Sequence, residues 1–84
     1  MLVYVRFDAD TPVDAATIED AVQACVGRGG SVIGASATSV DVEITTEVRP
    51  ILESLAAALR DLGMPATTYL DIPASGQRFG ILDF

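Results

Sequence analysis

The sequence predicts an α+β fold in which two helices cover one face of an antiparallel sheet. Three observations carry that prediction. Short runs rich in β-branched residues recur along the chain, two apolar stripes at helical spacing interrupt them, and half the residues are hydrophobic with only a fifth charged. That composition belongs to a packed globular domain. A chain of 84 residues has room for one core, so residues 1–84 are read as a single domain.

Each element follows from local pattern. "LVYVRF" at 2–7 reads as a first strand, and the "DADTPVD" after it carries turn and cap signals. Asp14 is placed to cap a helix running to about Val26, with Val13 and Ile18 able to close a hydrophobic staple. Ile18, Ala21, Val22, Cys25 and Val26 share one face of that helix, Glu19, Asp20 and Gln23 another, and "GRGG" at 27–30 ends it. "SVIGASA" at 31–37 and the alternating "SVDVEIT" at 39–45 suggest a hairpin. A second helix starts between Thr46 and Pro50, because proline is tolerated in a first helical turn. Val48, Ile51, Leu52, Leu55, Leu59 and Leu62 recur along it, and Gly63 and Pro65 stop it. "ATTYLDI" at 66–72 is a fourth strand, closed by Pro73.

The order strand, helix, strand, strand, helix, strand folds through right-handed crossovers into a four-stranded antiparallel sheet with both helices on one face. This is the ferredoxin-like βαββαβ plait. The last stretch, 77–84, adds a C-terminal fifth strand, with "PASG" at 73–76 as a hinge. Phe79, Ile81, Leu82 and Phe84 leave that tail apolar on both sides, so it is expected to need cover from both and to clamp across a homodimer. The alternative is a tail folded back on its own domain.

What the chain lacks restricts its chemistry. It has no His, Lys, Trp or Asn. A Ser-His-Asp triad, a Schiff base, a phosphate-loop lysine and an imidazole metal ligand are therefore all excluded. Twelve acidic residues against five arginines give a net charge of −7, which opposes nucleic-acid binding. The single cysteine cannot form an internal disulfide, and no signal or membrane-spanning run is evident, so a cytoplasmic protein is expected. Cys25 lies on the apolar stripe of the first helix and reads as a small buried hydrophobe. "GRGGSVIG" at 27–34 follows a helix and precedes a strand, the reverse of a phosphate loop.

If Val3, Val5 and Phe7 face the helices, then Leu2, Tyr4, Arg6 and Asp8 face the bare side of the sheet, joined by Asp41, Glu43, Tyr69 and Asp71. Of these, Tyr4, Arg6, Asp8, Asp41, Glu43, Tyr69 and Asp71 are the candidate partner-binding face, and Phe79, Ile81, Leu82 and Phe84 the candidate self-association residues. No catalytic, cofactor-binding or metal-binding residue is assigned. Whether Asp8, Asp10 and Asp14 hold a divalent cation is left open.

"FDADT" at 7–11 resembles the D-x-D-x-T first motif of haloacid-dehalogenase-type phosphatases, which implies a nucleophilic aspartate at Asp8. That family also needs a downstream lysine, and this chain has none, so the stretch is read as a strand end and helix cap. The apolar strand ending in Asp8 within a plait is similar to the nuclease-like subunits of CRISPR adaptation, whose basic surface this chain does not share. In size and topology the chain also resembles amino-acid-sensing regulatory domains, although "DADTPVD" stands where they usually carry a glycine.

The expected function is a non-catalytic acidic protein–protein interaction module, self-associating and holding a basic partner in the manner of small inhibitors and immunity proteins. The alternative is a dimeric regulatory domain sensing a small molecule between subunits. Behind both stands a carboxylate- and metal-dependent enzyme around Asp8.

Overall fold

Alternating burial organises the chain into a sheet with one dry face. The computed structural model describes residues 1–84, with strands β1 (Leu2–Arg6), β2 (Gly30–Ala35), β3 (Ser39–Ile44), β4 (Tyr69–Ile72) and β5 (Gln77–Gly80), and helices α1 (Ala15–Val26) and α2 (Val48–Asp61). The five strands form one antiparallel sheet in the order β2-β3-β1-β4-β5. Val3 stands opposite Val42, and Val5 lies between Val40 and Leu70, so the β-branched residues of neighbouring strands meet on the same face. Both helices bury against that face. Ile18, Val22 and Val26 of α1 and Leu52, Leu55, Ala56 and Leu59 of α2 join the strand residues in one core of 17 buried side chains.

Helix boundaries follow from terminal chemistry. Asp14 occupies the N-cap of α1 in extended conformation, yet its side chain makes no capping hydrogen bond; its carbonyl accepts from the Ile18 N–H at 3.1 Å. Val13, the residue before the cap, packs against the core that Ile18 joins. A short 3₁₀ turn, Gly27–Gly29, then leads directly into β2. At the end of α2, Gly63 takes φ +82°, the Gly63 N–H donates to the Arg60 carbonyl at 3.0 Å, and the Met64 N–H donates to Leu59 at 3.1 Å. This is a Schellman motif, and burial of Met64 supplies its apolar contact.

Two strand boundaries differ from the sequence expectation. β4 begins at Tyr69 rather than Ala66, because the Thr68 N–H is taken by the Pro65 carbonyl at 3.0 Å in a preceding turn. The final strand is Gln77–Gly80 rather than 77–84, because the chain turns again after Gly80, where the Asp83 N–H donates to the Gly80 carbonyl at 3.0 Å. Residues 73–76 form the loop of a tight β4–β5 hairpin, closed by the Gly76 N–H on the Ile72 carbonyl at 2.9 Å with Gly76 at φ +70°.

The tail is therefore seated within its own chain. Ile81 is 1% exposed, Phe79 and Phe84 pack against the core, and Leu82 is left 63% exposed. α2 holds this segment: the Arg60 guanidinium donates to the Ile81 carbonyl, and Arg49 lies over the Phe84 ring at 5.9 Å. No helix is long and apolar enough to cross a membrane.

Candidate functional site

The helix-free face of the sheet is the surface on which the candidate residues converge. Side chains alternate along each strand, so burying Val3, Val5, Val40, Val42 and Leu70 sends Tyr4, Arg6, Asp41, Glu43, Tyr69 and Asp71 to the opposite side, where each is half-buried. Strand register arranges them in rows. Asp41, Tyr4, Asp71 and Arg78 lie side by side across β3, β1, β4 and β5; Ser39, Arg6, Tyr69 and Gly80 make the next row. Asp8 lies beyond the end of β1, where its carboxylate accepts a hydrogen bond from the Thr67 hydroxyl at 2.9 Å.

Charges on this face are mutually engaged. Arg6 Nε lies 3.5 Å from Asp71 Oδ2, and its guanidinium sits 4.7 Å from the centre of the Tyr4 ring. The Ser39 hydroxyl donates to Asp41 at 2.7 Å, and Glu43 lies 3.4 Å from the amino group of Met1. Arg78 covers the Tyr69 ring at 5.3 Å. Two arginines set over two tyrosine rings make a surface that is amphipathic rather than simply acidic.

Arg78 was missed by sequence reasoning. Its signal lies in the hairpin: "PASG" as a four-residue loop sets "QRFG" against "YLDI", which puts Arg78 opposite Asp71 and Phe79 opposite Leu70. Treating 73–76 as a hinge hides that pairing. Of the residues considered for self-association, Phe79, Ile81 and Phe84 have intramolecular cover, and Leu82 does not.

Both sheet edges are partly occupied by side-chain acceptors. On β2 the Val32 N–H donates to Gln23 Oε1 of α1 at 3.1 Å, and an irregularity between Val32 and Gly34 leaves Ile33 60% exposed. At β5 the Gly80 N–H donates to Asp83 Oδ2 at 2.7 Å. Occupied donors and bulges discourage strand addition.

The surface has no enclosed pocket, and Asp8, Asp10 and Asp14 do not converge into a group of three that could hold a metal ion. Cys25 is half-buried on α1, and desolvation pushes its thiol up from the ordinary range, away from the thiolate that nucleophilic chemistry needs. No protein-family model, no curated protein and no solved structure matches the chain.

Proposed function

We propose that the protein is a non-catalytic, self-associating interaction module that holds a basic partner protein, in the manner of an inhibitor or immunity protein. Its first six elements form a ferredoxin-like βαββαβ plait, extended by β5 on the outer side of β4. The antiparallel pairing of β1 with both β3 and β4 supports this reading, as does the sharing of one core by both helices.

The observation that carries the functional reading is the separation of charge. Asp8, Asp10, Asp14, Glu19 and Asp20 are all exposed, join no ion pair, and occupy a stretch that has no basic residue from Phe7 to Gly27. The sheet face, by contrast, sets Arg6 and Arg78 among three carboxylates. A one-signed pole beside a balanced face suits a partner steered in by charge.

Copurification from native lysate, followed by binding measurements on the purified pair, tests the proposal. Affinity should fall about tenfold or more when Glu19 and Asp20 are both reversed to Arg, and should fall as salt rises. Cys25→Ser should leave it unchanged. A partner with an acidic binding surface, or one indifferent to both salt and reversal, refutes the reading.

A further inference from the structure

We propose that the helix-free sheet face is covered by a second copy of this chain, packed face to face about a two-fold axis that runs parallel to the strands between β1 and β4. This rests on the self-association part of the reading above and specifies its surface and register.

The choice of surface follows from charge and from the sheet edges. Two chains of net charge −7 repel wherever their acidic surfaces meet. On the open sheet face, however, three carboxylates are set against two arginines, and its two tyrosines and two arginines are residue types enriched in interfaces. Neither edge offers an equivalent: Gln23 and Asp83 occupy outward N–H groups on β2 and β5.

Register then selects the axis. A two-fold parallel to the strands maps each cross-strand row onto the same row of the other copy in reversed order. With the axis between β1 and β4, Asp41 comes over Arg78 of the second copy and Tyr4 over Asp71. In the next row Arg6 comes over Tyr69, and Ser39 over Gly80. Every contact in the first row sets a carboxylate against a cation or a hydroxyl donor, and the second stacks a guanidinium on a ring. Moving the axis onto β1 puts Asp41 over Asp71, and moving it onto β4 puts Asp71 over itself; both oppose like charges. Aligned sheets cross at about 30°, which shifts the outer rows by a few ångström, within reach of an arginine side chain.

Four overlapping strands spaced about 4.8 Å apart give a footprint roughly 19 Å wide. With strands of four to six residues rising about 3.3 Å each, the footprint is roughly 300 Å² per chain, below the standard interface size, so the dimer is expected to be weak, dissociating at about micromolar concentrations or above.

Sedimentation equilibrium across that range tests the proposal with Arg78→Glu, Asp41→Arg and the double variant D41R/R78E, each checked for folding by circular dichroism. Wild-type protein should dimerise, each single reversal should weaken association about tenfold or more, and the double reversal should restore it. If a reversal fails to fold, Arg78→Gln and Asp41→Asn serve, each weakening association and together showing less than additive loss. A wild-type chain that stays monomeric overturns both the face-to-face dimer and the self-association reading. A wild-type dimer that ignores the single changes, or is not rescued by the double, overturns the face-to-face register alone and moves self-association elsewhere.

Discussion

Ile81 and Leu82 are neighbours of almost equal hydrophobicity, and the structure assigns them opposite energetic roles. Ile81 is 1% exposed and Leu82 is 63% exposed. Ile81→Ala removes three buried carbons, worth about 0.8 kcal/mol each, and the incompletely collapsed cavity adds about 1 to 2 kcal/mol. The expected loss is therefore about 3 to 4 kcal/mol. A domain of this length has about 4 to 13 kcal/mol in total, so the variant sits near the edge of folding. Ile81→Val, at about 1 kcal/mol, keeps the test within range. Leu82→Ala should change stability by less than about 0.5 kcal/mol. Urea titration followed by far-UV circular dichroism reads all three, with unfolding midpoints compared at an unchanged slope. An Ile81→Ala loss below about 1 kcal/mol would refute burial of the tail in its own core. So would a loss that depends on protein concentration, since that would mean that a second subunit provides the cover.

Further predictions use other parts of the core. Leu55, fully buried on α2, should cost about 2 to 5 kcal/mol when changed to Ala, measured by the same titration. Thr68 is fully buried and its hydroxyl has no hydrogen-bond partner, so Thr68→Val should raise stability by about 1 kcal/mol and shift the urea midpoint upward. The thiol of Cys25 is pushed up by desolvation, so maleimide should label it more slowly in the native protein than in urea. The sign of the linked stability follows: below the ordinary thiol range both states hold the proton and nothing changes. As pH rises through that range the unfolded chain ionises first and stability falls, a loss that Cys25→Ala should remove.

Local pattern alone placed both helices and the first four strands, because each signal is carried within a few residues. The apolar stripe of α2 runs to Leu62 and meets Gly63, whose positive φ closes a Schellman motif that needs no distant partner. The alternation of Val40, Val42 and Ile44 likewise required one wet and one dry face whatever strand lay beside it. The tail was decided by tertiary structure. "RFGILDF" is apolar on both sides of an extended chain, and sequence spacing cannot say what covers it. The turn at Gly80–Asp83 breaks the strand, so Ile81 and Phe84 reach the core while Leu82 does not, and Arg60 on α2 fixes the bend through the Ile81 carbonyl. The open face was also only half legible. Alternation put Tyr4, Arg6, Asp41, Glu43, Tyr69 and Asp71 on one side, but charge balance depended on Arg78, which joins the face only when β5 pairs back on β4. Side-chain period is a local property of the backbone, whereas register between strands is set by loop geometry and core packing, and those exist only once the chain has folded.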